Sequence, residues 1–198
     1  PRHSGAGPAD SRFEHWGSLA LSEPGMVAAG IVITRLLVGE VPENALDAHL
    51  GAALVALPKR CGGIRPVACG SVLRRLGAKG ACMALSDEIT RAVGPLQYAV
   101  GRKGGVECIQ KALTIAANTR PGCVILSVDF TNAYNSMFRS KIRAAVQKRL
   151  AALAAVVVSI CGPGARHWFW DDAGANAVES ERGVDQGCPF SPAFFAIG

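Results

Sequence analysis

One stretch constrains this chain more than any other: Cys123-Val-Ile-Leu-Ser-Val-Asp129-Phe-Thr-Asn-Ala-Tyr134-Asn-Ser136. An almost wholly apolar run, rich in β-branched residues, ends abruptly in a carboxylate. Pro121-Gly122 punctuates its start and both of its faces are apolar, so the run reads as a short buried strand. An ionised Asp at the mouth of such a strand is costly unless a cation meets it. The residues themselves leave two readings open. Asp129 caps the basic helix that begins shortly afterwards, or it holds a metal ion at the end of a sheet.

The chain of 198 residues is long enough for one sizeable core or two small lobes. Hydrophobic residues make up 49% and charged residues 18%, which excludes a chain disordered by composition. Lys and Arg outnumber Asp and Glu by 21 to 15, and the resulting +6 and pI near 9.2 favour a polyanionic partner, nucleic acid ahead of membrane. Seven cysteines, odd in number and never spaced C-x-x-C, make neither a zinc site nor a disulfide framework and point to a reducing compartment. No signal peptide opens the chain, and its longest apolar run, 150–161, is too short to span a bilayer. The chain starts without Met and stops inside an apolar segment at Gly198, so it reads as a fragment.

Residues 1–20 lack periodicity and read as a loose arm. An apolar helix over 26–38 stops at Gly39, with Pro42 beyond it. Residues 50–57 and 64–69 read as antiparallel strands about the turn Lys59-Arg-Cys61-Gly-Gly63. Two glycines after two cations suit a hairpin tip that approaches an anion closely. Ser71 is the candidate N-cap of a helix over 72–85 that carries Arg74, Arg75 and Lys79. Gly94-Pro95 breaks the chain before an extended piece, 96–100. Gly104-Gly105 opens a helix with Val106, Ile109, Leu113 and Ala116 on one face. A basic helix runs from Lys141 to about Ile160. Residues 167–170 and 177–180 pair as a hairpin around Asp171-Asp172-Ala-Gly174, a turn these residues suit on propensity alone. A loop rich in turn residues covers 183–192, and 193–197 begin another apolar helix.

Four stretches stand in order: Leu57-Pro-Lys59-Arg-Cys61-Gly-Gly-Ile-Arg65-Pro-Val67, then Ser71-Val-Leu-Arg74-Arg75-Leu with Lys79, then Val128-Asp129-Phe-Thr-Asn-Ala-Tyr134-Asn-Ser136, then Gly183-Val-Asp-Gln186-Gly187-Cys188-Pro-Phe-Ser-Pro192 with Phe194-Phe195. Together they resemble the reverse transcriptases of non-LTR (LINE-type) retrotransposons. The first is similar to that family's fingers hairpin, the second to the helix that follows it, and the last two to its first and second palm motifs. The resemblance covers about 40–198. It implies an α+β fold, the fingers and partial palm of a right-hand polymerase, with an antiparallel sheet, packed helices and a truncation after the second palm motif. On that reading 1–20 is the arm, 21–120 a fingers-like region and 121–198 a partial palm.

The activity implied is RNA-directed DNA synthesis from dNTPs on an RNA template and a DNA primer, with no membrane and a location in nucleus or cytoplasm. Nucleotidyl transfer uses two divalent ions, here Mg²⁺ or Mn²⁺, which take hard oxygen donors. The resemblance makes Asp129 and the backbone carbonyl of Phe130 metal ligands. Tyr134 matches the family's steric gate, where an aromatic ring excludes a 2′-hydroxyl; plain core packing is the other reading. Lys59 and Arg65 would grip the incoming triphosphate, or form a solvated basic turn. Gln186 and Gly187 would lie beside the incoming nucleotide and template base, or make a turn ahead of Ser191-Pro192. Arg74, Arg75 and Lys79 would track template phosphates, or simply face solvent. Two residues depart from the family pattern, Cys61 and Cys188, each standing where it has Asp. The family's third palm motif, aromatic-x-Asp-Asp, is not met, because Phe169-Trp170-Asp171-Asp172 precedes the Gln-Gly-x-Pro motif instead of following it. The rival expectation is therefore a catalytically inactive remnant or domesticated RNA-binding protein, with a group II intron-type maturase as a related enzyme.

Overall fold

Two hairpins build the sheet. β1 (Ala52–Pro58) and β2 (Ile64–Gly70) pair antiparallel from Ala52↔Gly70 to Pro58↔Ile64. At the tip Gly62 and Gly63 take φ of 84° and 80°, a region that a Cβ disfavours. β3 (Ala165–Asp171) and β4 (Gly174–Ser180) form the second hairpin, and Asp171 Oδ1 stabilises its turn by accepting the Ala173 amide at 2.9 Å. A computed structural model of the chain, describing residues 5–60, 62–162 and 164–198, gives the strand order β2-β1-β3-β4. The hairpins join through two parallel register pairs, Ala52↔His167 and Ala53↔Trp168. The sheet is thus mixed, where an antiparallel one was expected. Parallel neighbours need a long crossover, and the helices between β2 and β3 provide it.

With ten α-helices among the described residues the protein is α+β. In chain order they are α1 (Phe13–Trp16), α2 (Glu23–Leu37), α3 (Leu46–Leu50), α4 (Val72–Ala84), α5 (Ser86–Val93), α6 (Gly105–Thr119), α7 (Ala133–Ser136), α8 (Arg139–Arg149), α9 (Ala154–Ile160) and α10 (Ser191–Ile197). Ser22 caps α2 by accepting from the Gly25 amide at 3.2 Å, and Gly39 beyond its end takes φ 93°. The core lies where α8, α9 and α10 meet. Ile142, Val146, Leu153 and Val157 pack there with Phe190 and Phe194, whose rings stack at 5.2 Å.

Several sequence expectations need correction. The arm expected to be loose is folded over its described part, with α1, a 3-10 turn at Gly17–Leu21, and the Arg75 guanidinium donating to the Gly5 carbonyl oxygen at 2.6 Å. The helix expected over 141–160 breaks at Leu150, where φ −144° and ψ 65° leave the helical region, and resumes as α9. The helix α5 was not anticipated.

The largest correction concerns 123–130. It pairs with no strand of the sheet and joins neither helix nor sheet. Val124, Leu126 and Phe130 are 91%, 83% and 72% exposed. Within this segment only the Cys123 amide makes a backbone hydrogen bond, to Arg120. An apolar pattern on both faces is what a strand buried on both sides needs, but a pattern cannot supply the neighbours. α6, leading into this segment, likewise exposes Val106, Ile109, Leu113 and Ile115. Among the described residues no helix is long and apolar enough to cross a membrane.

Candidate functional site

Three segments distant in sequence meet around a cavity of about 390 Å³. Leu54, Pro66 and Ala68 of the first hairpin form one wall, His167 and Val178 of the second another, and Asn135, Asp185 and Gln186 close it. Main-chain bonds fasten the parts together. The Ala68 amide donates to the Gln186 carbonyl oxygen at 2.8 Å, tying the loop 181–190 to β2. The Gly183 amide donates to Met137 O at 2.7 Å and the Val184 amide to Tyr134 O at 2.9 Å, tying the same loop to the end of α7. Both junctions demand glycine. Gly183 (φ 66°) has no room for a Cβ against the Tyr134 carbonyl, and at Gly187 (φ 131°) a Cβ would meet the Ala68 carbonyl oxygen.

Beneath the cavity sits a buried charge network. His167 Nε2 lies 2.8 Å from Asp185 Oδ1, and a guanidinium nitrogen of Arg74 lies 3.5 Å from Asp185 Oδ2. An ionised carboxylate only accepts, so the proton is on His167 Nε2, and His167 Nδ1 has no partner among the described residues. Arg74 also donates to the Leu50 carbonyl oxygen at 2.7 Å. Burial alone would raise the Asp185 carboxyl, but the His167 hydrogen bond and the Arg74 charge outweigh it and bring the carboxyl below its ordinary value. Asp185 also holds the loop in shape, because its carbonyl oxygen accepts from Ser191 Oγ at 2.7 Å.

Of the residues expected at a nucleotide site, Gln186 lines the cavity and Gly187 sits at the loop junction. Tyr134 is half-buried with its ring 4.8 Å from that of Phe195, and burial raises its phenol; its neighbour Asn135, not Tyr134, lines the cavity. Lys59 and Arg65 are exposed on the first hairpin, outside the cavity wall, and form no ion pair among the described residues. Arg74 is corrected: at 3% exposure its guanidinium serves Asp185 and Leu50 and is closed to a template phosphate. Arg75 is half-buried, donates to the Gly5 carbonyl oxygen at 2.6 Å and lies 5.0 Å from the Phe13 ring. Lys79 remains exposed.

Asp129 and Phe130 lie in the exposed segment 123–130. A carboxylate and a backbone carbonyl are suitable hard donors for magnesium. Among the described residues no group of three His, Cys, Asp or Glu comes together, so Asp129 and the Phe130 carbonyl are the hard donors that this segment would offer a divalent ion. Asp171 and Asp172 are exposed in the second hairpin's turn. Cys188 is buried in the core, where burial pushes its thiol up and it behaves as a small apolar residue; Cys61 lies outside the described residues.

Sequence reasoning missed Asp185, His167 and Asn135. Asp185 stood inside a quoted motif, but spacing alone cannot reveal that its partners come from β3 and α4. No protein-family model matches the sequence, and no curated protein matches it.

Proposed function

We propose that the chain is the fingers and partial palm of an RNA-directed DNA polymerase that takes dNTPs on an RNA template. The observation that carries this reading is the meeting of the Gly-Gly hairpin, the Tyr134 segment and the Gln186 loop around one cavity. Three of the four stretches that resemble the polymerase family thus converge, although they are far apart in the chain. On this reading a nucleotide lies against Gln186, and Gly187 lets the main chain approach it without a side chain in the way. Asn135 flanks the sugar from the cavity wall, with Tyr134 beside it in the chain and its ring against Phe195. Lys59 and Arg65, exposed on the hairpin and without carboxylate partners among the described residues, close over the triphosphate. Divalent ions, when bound, would neutralise charge on the phosphates; Asp129 and the Phe130 carbonyl would offer hard oxygens for them.

Primer extension on an RNA template with Mg²⁺, by the full-length gene product, tests the assignment. Asp129→Ala should reduce extension by ~100-fold or more. Undiminished extension would remove Asp129 from the chemistry. The second reading, an RNA-binding protein without polymerase activity, is favoured by one observation, the exposed position of Asp129 outside the sheet. It predicts RNA binding with no extension by the wild type.

A further inference from the structure

A second cavity, of about 420 Å³, shares Glu181 and Arg182 with the first and opens over the N-terminal turn of α8. Arg139, Ser140 and Arg143 of α8 line it together with Phe138. Arg139 is 8% exposed, and each of its hydrogen bonds goes to a neutral oxygen: Gly183 O at 3.1 Å, Gly162 O at 3.1 Å and Ser180 Oγ at 2.8 Å. A buried guanidinium ordinarily has a carboxylate against it. Asp185 feels this charge only as the smallest of the influences acting on it. Arg143 is one helical turn along from Arg139, a like-charge spacing that weakens a helix unless an anion lies between. Arg182 is held by the Phe138 ring at 4.9 Å. Neither Arg143 nor Arg182 donates a hydrogen bond or forms an ion pair among the described residues. The neighbouring Cys161 supplies no counter-charge, since burial holds its thiol up at about 11 despite Arg139 and Arg143. Three guanidiniums therefore face one carboxylate, Glu181. No side chain caps α8, so the positive end of its dipole adds to the same field.

We propose that this arginine cavity is a phosphate subsite for a nucleic-acid strand that continues from the first cavity. The inference rests on the nucleotide-site reading above, because the shared wall of Glu181 and Arg182 is what makes the two cavities consecutive positions for one strand. Two guanidiniums that can take phosphate oxygens bidentately stand at the rim, and a fixed third charge lies below.

Binding of a short fluorescein-labelled single-stranded oligoribonucleotide, followed by anisotropy across a potassium chloride series, tests it. The double variant Arg143→Gln, Arg182→Gln should bind several-fold more weakly at low salt. Its plot of log K against log salt should be shallower by ~0.7 for each phosphate that is no longer neutralised. Arg143→Lys with Arg182→Lys keeps the charge and should restore the slope, which a variant that merely unfolds would not. An unchanged slope in the Gln variant overturns the subsite. If Lys59→Gln with Arg65→Gln then still weakens binding, the nucleotide-site reading survives without it. Wild-type protein that fails to bind the oligonucleotide overturns both. Inorganic phosphate, followed by its ³¹P line width, separates the sources. Arginine-dependent uptake of phosphate alone, with RNA affinity indifferent to the Gln variant, overturns the strand in favour of a small-anion pocket.

Discussion

Asp185 shows how one side chain can hold several parts of a molecule. Its carboxylate meets His167 from β3 and Arg74 from α4, while its backbone continues into Gln186. Asp185→Asn keeps the shape but leaves the Arg74 guanidinium, 3% exposed, without a counter-charge. Breaking a buried pair in this way costs about 3 kcal/mol, so the urea midpoint of the variant should fall clearly at neutral pH; an unmoved midpoint would mean that the pair is not coupled to folding. The wild-type carboxyl is depressed when folded, so its stabilisation is present above the ordinary aspartate value and is lost as pH falls below it. His49 acts in a different window. Burial first, then the Arg74 charge, lowers it from 6.5 to about 4. The unfolded chain therefore takes up a proton below 6.5 that the folded chain refuses until about 4, and stability falls as pH falls between those values. The loss should reach about 3 kcal/mol at the acid end. Urea titrations at successive pH values should show that slope in the wild type and lose it in His49→Leu.

At the scale of elements, the glycines separate positions where a main chain has no room from positions where it does. Gly183→Ala puts a Cβ into the Tyr134 carbonyl at φ 66°, at the junction between α7 and the Gln186 loop. A loss of roughly 2 kcal/mol or more is expected. Gly80→Ala, in the exposed middle of α4 with nothing near the added Cβ, should instead stabilise by ~0.4–1 kcal/mol. Thermal melts of the two variants should move in opposite directions, and a common direction would contradict the junction. Such elements were largely legible in the sequence. Gly-Gly after two cations foretold the first hairpin, Asp-Asp-Ala-Gly the second, and Gly39 and Gly104 the ends of α2 and α6. Relations between elements were not. Adjacent Arg74 and Arg75 both read as outward charges, yet neighbours on a helix point about 100° apart, and one of them turned inward to a carboxylate more than a hundred residues away. The parallel pairing of β1 with β3 has no local signature either, since it depends on the crossover and not on either strand. For Asp129 the apolar run read as a buried strand, yet the segment joins no sheet and is exposed, because a pattern carries no information about neighbours.

The whole molecule is more open than its length requires. Its accessible surface is 12718 Å² for 20.6 kDa, whereas a compact monomer of that mass has about 8,900 Å². Much of the excess is apolar and local: Met26, Val27, Ile31 and Val32 on α2, the outward residues of α6, and Val124, Leu126 and Val128 after it. So many large apolar side chains left exposed are unusual for a protein that acts alone, and their physical consequences are measurable. A hydrophobic dye such as ANS should bind the folded chain in native buffer. The dependence of unfolding free energy on urea should also be shallower than for a compact protein of equal length, because less surface is newly exposed. Leu126→Asp with Val128→Asp discriminates further. Both side chains are exposed, at 83% and 61%, so the melting temperature should barely move while dye fluorescence falls. A melting temperature lowered by several degrees would instead mean that 123–130 is packed in solution, as a strand apolar on both faces ought to be.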